Sequence, residues 1–318
     1  MDINYIIVAH ERPLQLKRLI NRLSSSHAHF YVHIDKKVDI KPFFEALSGC
    51  SNICLVDEND REVCRWGGIG IVLAVLVCMR HILQEGNNGP CVLLSVQDYP
   101  LVSNAQIEDF FESNQSKDFI DIQPFPISDW IDDGWYRLSQ FHYQFGDKKY
   151  STRVLPSLWD SAFYSKFVTN VITVAKLIVH GQIPFHILKR RDYSIVKTPC
   201  GGHGWWILSA STVRAVMSFL DQQPDYLLFF HRVHVPDEII FQSIIRQIRP
   251  ESELCSNKTY TNWQAGGASP KVFNENDFDE LKNASGSFLF ARKFSEQDDD
   301  KILDLLDEHL LMPEQVES

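Results

Sequence analysis

"INYIIVAHERPLQLKRLINRLS" (residues 3–24) decides the fold. Its first seven residues are apolar almost throughout instead of alternating, which predicts a strand covered on both faces. Residues 12–24 then repeat apolar side chains at helical spacing, an amphipathic helix. The same rhythm continues outward. "HFYVHID" (29–35) is the next strand and a short helix follows near 41–48. "NICLV" (52–56) is a third strand, 69–84 a mostly buried helix, "CVLLSV" (91–96) a fourth strand and 104–114 another helix. Strand–helix alternation of this kind predicts an α/β fold with a mainly parallel central sheet flanked by helices. Ligands of such sheets bind beyond the carboxyl ends of the strands. Those ends are Ala9-His10-Glu11, His33-Ile34-Asp35 and Ser95-Val96-Gln97-Asp98.

Composition sets the outer bounds. The 318 residues suffice for one large domain, and 44% hydrophobic with 23% charged is an ordinary globular balance. A net charge of −10 argues against a general nucleic-acid binder. Seven cysteines, odd in number and without a C-x-x-C pair, read as reduced thiols of a cytoplasmic protein. The start "MDINYIIVAHERP" lacks the pattern of a signal peptide, and no window has the apolar length of a membrane span.

The expected layout is one domain over 1–318. It comprises a nucleotide-binding α/β half (1–117), an acceptor and catalytic half (118–295) and a C-terminal acidic helix (296–318). Residues 118–200 are irregular and rich in aromatics. Within them, 161–181 has helical periodicity with a polar stripe at Lys166, Asn170, Thr173 and Lys176. It predicts a surface helix packed on the core. The basic run "LKRR" (188–191) leaves a peripheral membrane contact as the minor reading. "GGHGWWILSASTVRAVMSFL" (201–220) reads as a glycine-rich turn, a strand and a helix. Leu303, Leu306 and Leu310 recur at helical spacing in the tail, so a final helix docks on the body.

Familiar nucleotide, zinc and hydrolase signatures are absent. The strand end "SVQDYP" carries the single acid Asp98, where a metal-dependent sugar-nucleotide enzyme would often show Asp-x-Asp. Asp277-Phe278-Asp279 reads as a helix start. No metal is therefore expected. A diphosphate leaving group then needs fixed cations, and Lys271, Arg292 and Lys293 are candidates, with solvated surface charge as the alternative. Trp66, Trp135, Trp205, Trp206 and Trp263 could stack on sugars or simply fill the core. "HVPDEIIFQ" (234–242) sets Asp237 and Glu238 between a proline and an apolar helical run. Alone, it favours a helix start with acids in its first turn over a catalytic role.

Eight segments in order, "YIIVAHERPLQLKRLI", "FYVHIDKK", "RWGGIGIV", "LLSVQDYPL", "GWWILSASTV", "VPDEIIFQSII", "SPKVF" and "LFARKF", resemble the core-2/I-branching β-1,6-N-acetylglucosaminyltransferase and peptide O-xylosyltransferase family, glycosyltransferase family 14. The resemblance implies a GT-A type fold, a UDP-sugar donor and inversion without an essential metal. It implies Glu238 as catalytic base, Lys271 and Lys293 as diphosphate ligands, and Asp35 near the nucleotide. His10 and Arg292 join the expected donor set. Asp98, Trp135, Arg137, Trp205 and Asp237 form the expected acceptor set, with Asp237 capping or orienting. Val96 stands where the family commonly has glycine, and Ser295 where it has aspartate. Lacking the family's anchors and disulfides, the chain looks like a bacterial-type soluble member. The expected reaction moves N-acetylglucosamine from UDP to a glycan or lipid-linked glycan of a surface polysaccharide. UDP-xylose or another UDP-sugar is the alternative, and a silent glycan binder a more distant one.

Overall fold

The computed structural model describes residues 1–146, 151–263 and 269–311. Its central sheet has seven strands: β1 (Ile3–Ala9), β2 (Ala28–Ile34), β3 (Ile53–Leu55), β4 (Cys91–Ser95), β5 (Asp118–Ile120), β6 (Trp206–Leu208) and β7 (Leu254–Cys255). They lie in the order β7-β5-β6-β4-β1-β2-β3. Every neighbouring pair is parallel except the two made by β6, which runs antiparallel to β5 and β4. The expected α/β, mainly parallel architecture is thus present, with one reversed strand.

The longer helices are α1 (Pro13–Leu23), α2 (Gly70–Gln84), α3 (Asn104–Ser113), α4 (Phe167–Val179), α5 (Ala210–Gln222), α6 (Ile240–Ile248) and α7 (Lys301–His309). The continuous apolar run of β1 is explained by its two covered faces. Ile3, Tyr5, Ile7 and Ala9 join the core with α1, α3 and α7. Ile6 points the other way, into the core with α2, α5 and α6. A second, three-stranded sheet pairs Asp98–Pro100 with Phe290–Arg292, and that with Thr259–Thr261. It carries the end of the chain back to the edge where β4 stops.

Within the tail, α7 spans Lys301–His309, shorter than the expected 296–318, and packs on the body. Ile302, Leu303 and Leu306 are fully buried. The acidic face of α7 meets α1, where Arg18 pairs with Asp304 and Asp307, and Arg22 with Asp307. Residues 312–318 of the expected 296–318 helix lie outside the described residues.

The 161–181 expectation needs correction. The segment is two helices, Ser161–Ser165 and α4, with the break at Lys166. The polar stripe is split: Lys166 and Lys176 are exposed, but Asn170 and Thr173 are buried, while Val168, Val171 and Ile172 are exposed. The reason is local. Asn170 Nδ2 donates to the Phe163 carbonyl at 2.9 Å, and Thr173 Oγ1 to the Thr169 carbonyl at 2.8 Å. Leu177 on the same side joins a small cluster with Phe141, Tyr143, Leu155, Phe163 and Ile187.

Because Leu306 is fully buried between α7 and the sheet core, Leu306→Ala should lower the unfolding free energy by about 2–5 kcal/mol. Urea denaturation measures this as a lower midpoint with an unchanged slope. An unchanged midpoint would show that α7 is not part of the cooperative core.

Candidate active site

The carboxyl ends of β1, β2, β4 and β5 share one edge of the sheet with the amino end of β6, because β6 is reversed. Residues leading into β6 therefore face those leaving β4 and β5. Pro236-Asp237-Glu238 is brought to the same place. It forms a separate 3-10 turn, and Ile239 breaks the geometry before α6 begins at Ile240. The acids are thus not in the first turn of α6, contrary to the helix-start reading of their segment.

Two glycine-bearing loops hold this turn. Val235 N donates to Gly67 O at 2.9 Å, and Gly202 N donates to Glu238 O at 3.0 Å. Gly67 has φ +73°, and a Cβ there would lie 3.3 Å from the His234 ring. A Cβ on Gly202 would come within 1.9 Å of the Asp121 carbonyl. Val235 sits at φ 52°, a strained conformation for a β-branched residue. Tyr136 Oη lies 3.1 Å from His234 Nδ1, and the His142 ring packs on His234 with centroids 4.9 Å apart. Burial pushes His234 down to about 4 and His142 to about 3, so both imidazoles are neutral at physiological pH.

The two acids have different settings. Glu238 accepts from Arg137 Nη1 at 2.7 Å and stays partly open to solvent. The Arg137 guanidinium also lies 3.7 Å over the Trp130 ring. Asp237 lies beside Gly204. Burial, then the neighbouring Glu238, pushes its carboxyl from 3.8 up to about 7. Beyond it, Arg292 pairs with Asp98 at 3.1 Å and stacks 4.2 Å over Trp205. His203 forms an ion pair with Asp121 at 3.3 Å, which raises its pKa.

The structure brings Asp98, Arg137, Trp205, Asp237, Glu238 and Arg292 together, but not all in their expected roles. Asp98 is buried under Arg292 and accepts from Ser95 N at 2.6 Å, so it is not presented to an acceptor. Arg292 in turn is engaged with Asp98 and Trp205, not turned toward a leaving group. Arg137 serves Glu238. Trp135 packs edge-on against Phe125 at 5.2 Å and lies 5.8 Å from Tyr193, which is core packing. Trp206 is buried against Phe241. Trp66 and Trp263 are the tryptophans of the expected stacking set that stand exposed, the latter beside His203.

On the donor side, His10 is exposed at the end of β1. Asp35 is buried and accepts from Lys37 N at 3.0 Å and Cys64 N at 3.3 Å. Lys271 and Lys293 are adjacent through the backbone, since Lys293 N donates to Lys271 O at 3.2 Å. Lys271 Nζ already contacts Asp277 at 2.5 Å and Glu280 at 3.5 Å, so a phosphate there must compete with two carboxylates. Asp277 itself belongs to a helix-capping box, in keeping with its sequence context. Sequence reasoning passed over Gly67, His203 and Asp121. Glycines on both sides of His203 in "GGHG" were the available signal of close backbone approach.

A mainly parallel sheet with charged groups gathered beyond its strand ends has the layout of the ligand-binding α/β class. The chain belongs to the Core-2/I-Branching enzyme family, which it matches over residues 3–283. This is the glycosyltransferase family that the ordered motifs resemble, and with the sheet topology it defines a GT-A type fold. Xylosyltransferase 2 of Homo sapiens is 25% identical over 334 residues, covering 97% of this chain and 33% of the relative. Xylosyltransferase oxt of Drosophila melanogaster is 22% identical, covering 98% of this chain and 34% of the relative. The chain spans about a third of the length of the curated relatives it matches. Among solved structures, a putative glucose-1-phosphate thymidylyltransferase from Bacillus anthracis has a TM-score of 0.35 and 11% identity, covering 89% of this chain and 95% of that one.

The raised carboxyl of Asp237 gives a signed prediction. The folded state keeps a proton that the unfolded state releases above 3.8, so this group's contribution falls as pH rises toward about 7. Asp237→Asn removes that loss. The urea midpoint of the variant minus that of the wild type should therefore increase from about pH 4 to about pH 7 and then level off. A difference independent of pH would mean that Asp237 titrates normally.

Proposed function

We propose that the protein is an inverting, metal-independent glycosyltransferase with Glu238 as its catalytic base. The observation that carries this reading is the Arg137–Glu238 pair at 2.7 Å on a strained turn, beside a carboxyl pushed up to about 7. Adjacent acids in such unlike settings, one paired with an arginine and one raised by burial, are suited to different tasks. Glu238 takes the proton of an acceptor hydroxyl. The acceptor oxygen bonds to the anomeric carbon from the face opposite the nucleotide, the bond from that carbon to the β-phosphate oxygen breaks, and UDP departs. Lys293, with Lys271 beside it, meets the charge growing on the diphosphate. Metal independence draws support from Asp98: the acid at the end of β4 is buried and paired with Arg292.

The proposed donor is UDP-N-acetylglucosamine and the acceptor a glycan or lipid-linked glycan of surface polysaccharide assembly. UDP-xylose is the second reading, favoured by the xylosyltransferases among the relatives. A cytoplasmic location is supported by seven unpaired thiols. No helix among the described residues is long and apolar enough to cross a membrane.

Glu238→Gln should lower turnover by about 10²–10⁴-fold while UDP still raises the melting temperature as in the wild type. Wild-type turnover by this variant, with chemistry rate-limiting, would remove Glu238 from the role of base. The donor is tested by slow hydrolysis of UDP-N-acetylglucosamine and UDP-xylose in excess EDTA. The first should be cleaved faster, at the rate seen without chelator. A preference for UDP-xylose selects the second reading, and a loss restored by manganese overturns metal independence.

A further inference from the structure

The outer face of α4 is left exposed among the described residues. Val168, Val171, Ile172, Ala175 and Val179 fall at helical positions i, i+3, i+4, i+7 and i+11 and form one apolar stripe. Val168 is 69% exposed, Ile172 49% and Val179 84%. The inward side of the same helix carries the polar Asn170 and Thr173. A helix that buries its amides and hydroxyls and shows its valines to water is the reverse of an ordinary surface helix. Contiguous apolar surface of this kind marks an interaction site.

Charge identifies the occupant. Residues 151–193 hold six basic side chains and two acids, in a chain whose net charge is −10. Arg191 is taken up inside the fold, where it donates to the Leu138 carbonyl. Arg153, Lys166, Lys176, Lys189 and Arg190 are exposed. Of the two acids, Asp160 caps the helix Ser161–Ser165. The subdomain also exposes Trp159, Tyr164, Phe167 and Phe185, aromatics of the kind that settle at a bilayer interface. An apolar stripe on a cationic, aromatic-rich subdomain matches an anionic lipid surface. A second copy docked face to face through the same stripe would set these cationic flanks against each other.

We propose that α4 and its cationic flanks dock the protein on an anionic membrane surface, with the helix lying in the plane of the interface. The test is co-sedimentation of the full chain with vesicles of phosphatidylglycerol and phosphatidylcholine, and with phosphatidylcholine alone. The wild type should bind the anionic vesicles and be released as salt is raised. Val171→Asp with Ile178→Asp should weaken that binding by about tenfold or more, as should Lys166→Glu with Lys176→Glu. Thermal midpoints show whether the variants remain folded, and the salt series on the wild type stands without them. Failure of the wild type to bind anionic vesicles overturns the proposal. So does binding that neither pair of substitutions alters. A dimer that the Val171 and Ile178 substitutions dissociate, without lipid binding, assigns the face to a second copy and overturns it as well.

Discussion

Two backbone hydrogen bonds fix the candidate site: Val235 N to Gly67 O, and Gly202 N to Glu238 O. They clamp a three-residue turn between a loop that precedes α2 and a loop that precedes β6. Both bonds join backbone to backbone, so neither depends on a side-chain rotamer. A Cβ at position 67 would press on the His234 ring, and one at position 202 on the Asp121 carbonyl. The left-handed conformation of Val235 stores strain of about 1–3 kcal/mol, which the surrounding packing must over-determine. In return, Asp237 and Glu238 point in directions that a regular helix start would not give them.

From that turn the electrostatics follow in two chains. One runs from Glu238 to Arg137 and on to the face of Trp130. The other runs from Asp98 to Arg292, which stacks on Trp205 and lies within electrostatic reach of Asp237. Each arginine is held by an aromatic ring on one side and a carboxylate on the other, so its planar head is fixed in orientation. Adjacent acids thereby acquire unlike surroundings from the protein's own side chains.

Much of this was legible in the sequence, for identifiable reasons. The strands of the first half are read easily because burial on both faces leaves an unbroken apolar run, as in β1. Glu238 could be singled out because its segment occurs among ordered motifs. The partner of Glu238 could not, since Arg137 lies 101 residues away and meets it only in the folded chain. Nor could the sequence separate Arg292 from Lys293. Their roles depend on the register that sets Arg292 opposite Asp98, within strands of three residues. Periodicity found the two faces of α4 but not which one turns inward. Hydropathy alone assumes water on the far side.

The reversed strand β6 has a topological consequence. The backbone leaves the sheet at Ile120 and rejoins it at Trp206, and these two residues are direct partners across the β5–β6 ladder. Everything between is an excursion whose entry and exit are side by side. Closing a longer or shorter excursion alters the chain entropy only slowly with its length. The sheet, with Lys271 and Lys293 beyond it, need not change when the excursion does. Apart from Arg137, Gly202 and Trp205, which hold the candidate site, the excursion that includes α4 can therefore vary while the sheet stays as it is.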